Sequence, residues 1–215
     1  LQPHNWLIHK LMWEQLCKIA PEYASGVLLD IGSGEEPYKK LFMPYVAHYF
    51  GLDFPAHKIM KKQFDVCADA QYLPITSNSV DTVLCSELLE HLPLPMTALK
   101  EVFRVLKPGG HIILTTPLFW HLHEEPRDFY RYTKYGLAYL LETNGLKIIH
   151  TAELTGFIAT FIQLGCYFFR SGPFARLFFP LIWISQRLGY LLNKFDKSQR
   201  FNCLTIMVGR KVQMR

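Results

Sequence analysis

Val27-Leu28-Leu29-Asp30-Ile31-Gly32-Ser33-Gly34 is a short apolar run that meets an acidic residue and then a glycine-rich turn. The apolar part has the length of one buried strand, and the two glycines let the backbone beyond it bend without a Cβ in the way. In parallel α/β sheets this combination ends a first strand and lets a nucleoside-bearing ligand approach bare main chain. A G-x-G turn also occurs where nothing binds, so its meaning depends on the residues downstream of Gly34.

Outward from that turn, short β-branched or apolar runs alternate with longer segments of helical period, which predicts a parallel sheet flanked by helices. An opening helix is expected near residues 5–20, with Trp6, Leu7, Leu11, Leu16 and Ile19 as its apolar face. A helix should follow Pro37. A second strand near Tyr49–Leu52 ends in Asp53, a third around Phe64–Cys67 leads to Asp69, and the fourth is Thr82–Cys85. A helix from about Pro95 to Leu106 points Leu99, Val102, Phe103 and Leu106 at the core, and Pro108-Gly109-Gly110 is expected to stop it. His111–Thr115 reads as a buried fifth strand that ends at Pro117. Thr133 reads as the N-cap of a helix carrying Leu137, Leu140 and Leu141, which Asn144-Gly145 closes. Strands over Lys147–Ala152 and Asn202–Gly209 bring the total to seven.

With 215 residues, half of them apolar, the chain has material for one domain with a sizeable core. Cys17, Cys67, Cys85, Cys166 and Cys203 lack paired spacing and read as small buried hydrophobes in a reducing compartment. The nine histidines show no zinc-type pattern, so no metal is expected. No secretion signal opens the sequence, and a cytoplasmic location is the plain expectation. The net charge of +5 conceals a division. Residues 1–153 carry 14 Lys/Arg against 17 Asp/Glu, whereas residues 154–215 carry nine basic residues and one acid, Asp196. Such asymmetry marks attraction to an anionic surface or ligand.

Four stretches, in order, resemble the class I S-adenosylmethionine-dependent methyltransferases, of the type 11-like kind. They are LLDIGSG at 28–34, GLD at 51–53, DAQYLPI at 69–75 followed by SVDTVLCSELLEHL at 79–92, and LKEVFRVLKPGGHIILTTP at 99–117. The resemblance covers roughly residues 25–152 and implies an α/β, Rossmann-like, seven-stranded and mostly parallel sheet with helices on both faces. One domain over 1–215 would then comprise an N-terminal helical extension (1–24), a cofactor-binding core (25–153), an apolar and basic helical insertion between the last two strands (154–200) and the final strand (201–212). S-adenosyl-L-methionine is the implied cofactor and S-adenosyl-L-homocysteine the product.

The resemblance also assigns roles. Gly32 and Gly34, with Ser33 between them, would let the main chain approach the methionine portion, while Asp30 fixes the turn or meets the amino group. Asp53 would accept from both ribose hydroxyls, which suits an acceptor-only carboxylate. Asp69 and Ala70 would line the adenine, and Ser86 and Glu87 would floor the site with His91 nearby. Glu90 and His91 read equally well as an exposed helix face. Glu35 and Glu36 after the turn disfavour a pyrophosphate at that helix start and argue against NAD or FAD.

The segment from Phe119 to Tyr132 holds the candidate acceptor-side groups at the carboxyl edge of the sheet. Its HEEP (123–126) and DFYRYT (128–133) pieces resemble a subgroup of these methyltransferases associated with bacterial cell-surface glycan pathways. His121 or His123 is the candidate general base. Trp120, Glu124, Arg127, Arg131 and Tyr132 are candidate acceptor contacts, the arginines for a phosphate or carboxylate. The other reading keeps Asp128, Tyr130 and Arg131 as pins that hold the loop against the next helix.

Between the sixth and seventh strands some 45 residues rich in Phe, Leu, Ile and Trp intervene. Leu154–Phe169 is the longest uncharged run, short of the roughly twenty apolar residues a spanning helix needs. A lid, a dimer surface and a helix lying in a membrane interface stay open. Arg170, Arg176, Arg187, Lys194, Lys197 and Arg200 beside these runs suit an anionic, partly apolar partner such as a lipid-linked sugar phosphate or the inner face of a membrane. No nucleic acid is expected, because the basic residues are diluted among aliphatics. The expected activity is methyl transfer to a small or lipid-linked acceptor, a sugar hydroxyl foremost. An isoprenoid quinone or other lipid acceptor is an alternative, and so is a non-catalytic cofactor-binding regulator.

Overall fold

The computed structural model describes residues 3–54, 65–172, 175–196 and 198–212. After a 3-10 turn at Pro3–Asn5 come α1 (Trp6–Tyr23), β1 (Val27–Ile31), α2 (Lys39–Phe42), β2 (His48–Asp53), β3 (Val66–Cys67) and β4 (Val80–Ser86). A second 3-10 turn, Leu89–His91, leads to α3 (Pro95–Val105), β5 (Leu106–Pro117), α4 (Lys134–Thr143) and β6 (Leu146–Glu153). Then α5 (Phe157–Ser171) and α6 (Ala175–Asn193) precede a 3-10 turn at Gln199–Phe201 and β7 (Leu204–Lys211). The expected third strand is described only at Val66–Cys67; Phe64 lies outside the described residues, as does Lys197 of the basic set.

The seven strands form one sheet in the order β3-β2-β1-β4-β5-β7-β6. All pairs are parallel except that β7 runs antiparallel to both β5 and β6. The winding reverses between β1 and β4, which opens a crevice at their carboxyl ends. Leu28, Leu84, Ile113 and Ile206 pack with side chains of α1 and α2 on one face. Leu29, Ile31, Val83, Ile112 and Leu114 pack with those of α3 and α4 on the other. Burial on both faces is why these strands read as continuous apolar runs.

Two expectations need correction. The helix does not run to the Pro-Gly-Gly stop: α3 ends at Val105, and Leu106 is already extended. Val80 pairs with Leu106 and Thr82 with His111, so residues 107–110 bulge out of β5 opposite Asp81. Lys107 Nζ holds both Asp81 carboxylate oxygens at 2.8–2.9 Å, and Gly109 takes φ +82°, a value suited to glycine. Cys17 and Cys67 are exposed, one on the solvent side of α1 and one on the edge strand, whereas Cys85, Cys166 and Cys203 are buried thiols. Thr133 caps α4 by accepting from Gly136 N at 3.1 Å, as its position predicts.

The insertion is a helical pair tied to the N-terminal helix. Leu7 N, a donor left without an intrahelical partner at the start of α1, donates to Gln186 Oε1 at 2.7 Å. Gln186 Nε2 donates to Gln163 Oε1, and Gln163 Nε2 to the His4 carbonyl, with both glutamines fully buried. The start of α5 is satisfied from a distance too: Asn193 Oδ1 accepts from Gly156 N, Ser198 Oγ from Phe157 N and Asp196 Oδ2 from Ile158 N. The one acid of the C-terminal third therefore serves as a helix cap.

Both ends of the insertion meet at Asn202, which is buried. Its Oδ1 accepts from Leu154 N, Thr155 N and Leu204 N at 3.0–3.2 Å, and its Nδ2 donates to Thr205 Oγ1 at 2.8 Å. Asn202→Ala is expected to lower the unfolding free energy by about 2–4 kcal/mol, because buried donors lose their acceptor. Urea denaturation checks this, and a loss under about 0.5 kcal/mol would contradict it.

Candidate functional site

At the carboxyl ends of β1, β2 and β4 lies a cavity with Ile31, Leu52, Leu88 and Leu92 as its apolar wall. Gly32 and Gly34 form its rim with φ of +74° and +48°, and a Cβ on Gly32 would meet the Leu88 side chain at 3.0 Å. Gly32 N and Ser33 N both donate to the Leu52 carbonyl, which ties the turn to β2. Asp53 stands at the end of β2: one carboxylate oxygen accepts from Gly34 N at 2.8 Å and the other from Phe54 N at 2.7 Å. Each oxygen keeps a second lone pair. Asp69 accepts from Gln71 N, and Gln71 Oε1 is buried without a hydrogen-bond partner among the described residues.

Gly32, Gly34, Asp53, Asp69, Ala70, Glu87 and His91 all line this cavity. Asp30, Ser33 and Ser86 do not. Ser33 is buried with its hydroxyl unpartnered among the described residues, and Ser86 Oγ shares a hydrogen bond with Thr115 Oγ1. Asp30 projects to the α1/α2 side, where the Tyr49 hydroxyl donates to it. Burial is the main reason its carboxyl is pushed up to about 7. Gln71, which the sequence did not single out, also lines the cavity, and Arg127 and Glu124 reach it from the loop after β5.

The Asp30 environment has a consequence for stability. Its carboxyl titrates well above the usual aspartate range, so the native state retains a proton that the unfolded chain releases. The associated stability is complete below about pH 4, where the unfolded chain is protonated too, and is lost as the pH rises through about 7. Asp30→Asn keeps an acceptor for Tyr49 and removes the titration. From pH 5 to pH 8 the wild type is expected to lose about 2–3 kcal/mol more than the variant in urea unfolding, and parallel profiles would contradict this.

A second cavity is lined by Glu87, Glu90, Trp120, His121, His123 and Glu124, with Tyr167 of α5 and the N-terminal His4 and Asn5. It shares Glu87 and Glu124 with the first. Both shared residues have left-handed backbone, at φ +50° and +53°, an uncommon conformation for glutamate that collects at functional sites. Burial first, then Glu124, pushes the Glu87 carboxyl up to about 7. Tyr167 brings the insertion into the site, with its ring centroid 3.9 Å from that of His121.

The loop that carries these groups is braced from inside. Arg131 forks onto Asp128 at 2.6 and 2.7 Å and donates to the carbonyls of Trp120, His121 and Tyr130. Every guanidinium nitrogen of Arg131 is thus engaged within its own loop. Asp128 accepts from His123 N and lies 3.3 Å from His123 Nδ1. The Arg131 hydrogen bonds hold the Asp128 carboxyl well below the usual carboxylate range. Tyr132 is buried, and its hydroxyl donates to the Leu89 carbonyl. Of the expected acceptor contacts, Trp120 and Glu124 line the second cavity and Arg127 lines the first, while Arg131 and Tyr132 line neither.

Comparison with known proteins agrees with this layout. Residues 29–114 match the sequence model of a family described as a methyltransferase domain. A malonyl-[acyl-carrier protein] O-methyltransferase of Marinomonas sp. is 28% identical over 118 residues, which are 50% of this chain and 44% of that protein. A ubiquinone biosynthesis O-methyltransferase of Alkalilimnicola ehrlichii is 40% identical over 62 residues, 29% of this chain and 23% of that one. The chain therefore spans less than half the length of these two relatives. Among solved structures, a SAM-dependent methyltransferase from Aquifex aeolicus superimposes with a TM-score of 0.55 at 14% identity, covering 93% of this chain and 89% of the other. The phosphoethanolamine N-methyltransferase 2 of Haemonchus contortus, solved with S-adenosyl-L-methionine, gives a TM-score of 0.60 at 17% identity over 98% of this chain and 56% of the other.

Proposed function

We infer that this chain, whose residues 29–114 match a methyltransferase-domain family, is a class I methyltransferase that transfers a methyl group from S-adenosylmethionine to a hydroxyl of a small or lipid-linked acceptor, a sugar foremost. The observation that carries this reading is that two cavities meet at Glu87 and Glu124. The first fits the donor: a rim of two glycines in left-handed backbone, a carboxylate at Asp53 with lone pairs to spare, and an orphaned acceptor at Gln71. When bound, S-adenosylmethionine supplies a methyl group on a cationic sulfonium. The two carboxyl groups at the junction suit such a cation, which would favour the ionised form of Glu87 over the protonated form that burial promotes. In the second cavity the imidazoles of His121 and His123 are able to take the hydroxyl proton, as is the carboxylate of Glu87, and Trp120 and Tyr167 offer rings on which a sugar can stack. Alignment supplies much of the rest of the catalysis, since the methyl is already activated.

The lipid-linked acceptor is supported by the insertion. Between residues 157 and 201, fourteen of the described large apolar side chains are exposed, and Asp196 is occupied as a cap. Arg170, Arg176, Arg187, Lys194 and Arg200 accompany them, and Arg187 lies over the Trp183 ring at 3.5 Å. No described helix is long and apolar enough to cross a membrane, so the fitting mode is a pair of helices lying in an anionic interface. A further apolar cavity among Leu164, Phe168, Phe169 and Phe178 shares His121 and Tyr167 with the acceptor cavity and suits a hydrocarbon chain. The relationship to a ubiquinone biosynthesis O-methyltransferase favours a second reading with a quinone-type lipid as acceptor.

Two measurements test these readings. Calorimetry with S-adenosylhomocysteine should show one site, and label from the cofactor should enter the lipid fraction of a cell extract; after mild acid hydrolysis, that label should partition with water-soluble sugar rather than with quinone. Binding without any transfer would favour a regulator. In flotation, the chain should bind vesicles with about a third anionic lipid, weaken in high salt and lose at least about tenfold in partitioning on Trp183→Glu combined with Leu188→Glu. Equal binding to neutral vesicles, or none, would contradict the interfacial helices.

A further inference from the structure

We propose that Glu90, His91 and His123 form a site for a divalent transition-metal ion in the wall between the two cavities. Each residue offers one ligand atom, and the three atoms lie within 4.8 Å of one another. An ion centred on a triangle of that size sits no more than about 2.8 Å from any corner, so a contraction of under about 1 Å reaches zinc-type bond lengths of about 2.0–2.2 Å.

Glu90 is the residue that calls for a cation. It is fully buried, and neither carboxylate oxygen has a hydrogen-bond partner among the described residues. A carboxylate in that position carries a desolvation penalty that only a proton or a cation relieves. The nearby guanidinium of Arg131 is already forked onto Asp128. His91 Nε2 lies 3.9 Å from Glu90 Oε1.

The two imidazoles are set up as ligands. His91 Nδ1 is 2.7 Å from the Arg127 carbonyl. His123 Nδ1 is 3.3 Å from Asp128 Oδ2 and 3.3 Å from the His121 carbonyl. A carbonyl or carboxylate on Nδ1 fixes the tautomer that leaves the lone pair on Nε2, which is the outer-shell arrangement of metal-bound histidines. The rings meet edge to face with centroids 4.6 Å apart. Two nitrogens and one carboxylate favour Zn²⁺, Co²⁺, Mn²⁺ or Fe²⁺ over Mg²⁺ or Ca²⁺. Three protein ligands leave a coordination position open, as in catalytic rather than structural sites.

His91 lines the donor cavity, while Glu90 and His123 line the acceptor cavity. An acceptor hydroxyl bound to the ion there would lose its proton more readily. That role rests on the methyl-transfer reading; the site itself does not.

The test uses the full chain, stripped with a chelator and dialysed. Zn²⁺ should bind with one equivalent and a dissociation constant on the order of 1 μM or tighter, and Co²⁺ should give the visible absorption of a low-coordinate ion. Glu90→Gln and His123→Ala should each weaken Zn²⁺ binding at least about tenfold. His123 is partly exposed on a loop, so its variant keeps the test decisive if Glu90→Gln does not fold. No stoichiometric binding by the wild type, or binding indifferent to His123→Ala, would overturn the proposal and leave a proton as the occupant of Glu90. S-adenosylhomocysteine calorimetry on the same metal-free protein separates the two readings: its failure counts against the donor site, and failure of Zn²⁺ counts against the metal site.

Discussion

Asp53→Ala is expected to weaken S-adenosylhomocysteine binding by a factor of about 100 or more, while Asp30→Asn, two positions before the glycine turn, changes it by less than about threefold. Hydrogen bonds to a charged acceptor contribute about 1.5–3 kcal/mol each, so the two ribose contacts proposed for Asp53 would amount to about 3–6 kcal/mol, or two to four decades in affinity. The truncation also removes the acceptor of Gly34 N, which loosens the turn that carries the glycine rim. Asp30 is equally acidic in sequence and sits nearer the glycines, yet its carboxyl is turned to Tyr49 on the other side of β1. Asp53→Asn, with one acceptor oxygen remaining, should fall between the two. Calorimetry on the three variants decides the matter: equal losses for Asp30 and Asp53, or none for Asp53→Ala, would refute the placement of the donor.

The contrast between these aspartates shows what the chain discloses before it is folded. Strand ends and glycine turns are local signals, and a parallel sheet collects strand carboxyl ends on one edge, so Gly32, Gly34, Asp53 and Asp69 fall into one cavity. The face to which a strand-end carboxylate turns is set by pleat, and a residue one position off the expected register, such as Asp30, lands in the wrong layer. Glu90 illustrates a different limit. In the run Leu88-Leu89-Glu90-His91-Leu92 a glutamate reads as solvent-facing, but a single 3-10 turn after β4 carries it wholly inside. The left-handed backbone of Glu87 and Glu124 has no sequence signature, because neither is a glycine or an asparagine. Gln186 and Tyr167 reach the N-terminal helix and the loop after β5 from far along the chain, and pairing at such separation leaves no periodic trace.

Arg131→Ala is expected to lower kcat/KM for transfer of label into the lipid fraction at least about 100-fold and to leave S-adenosylhomocysteine affinity within about threefold. The side chain touches neither cavity, so its effect passes through the loop it braces. It holds the carbonyls of Trp120 and His121 and both oxygens of Asp128, and Asp128 in turn holds the backbone of His123. Removing the guanidinium frees the acceptor-side aromatic and imidazole groups together, and a misplacement of about 1 Å in reacting groups costs about two decades in rate. Arg131→Lys should recover little, because a point charge cannot fork onto a carboxylate while bonding two carbonyls. Gly32, Gly34, Asp53 and Asp69 in the donor cavity stand on β1, β2 and the turns beyond them, and the loop adds only Glu124 and Arg127 to its lining, which is why cofactor affinity should largely hold. A merely structural role would lower cofactor affinity and turnover in parallel. Full turnover in Arg131→Lys would show instead that charge alone, and not the forked clamp, keeps the acceptor side in place.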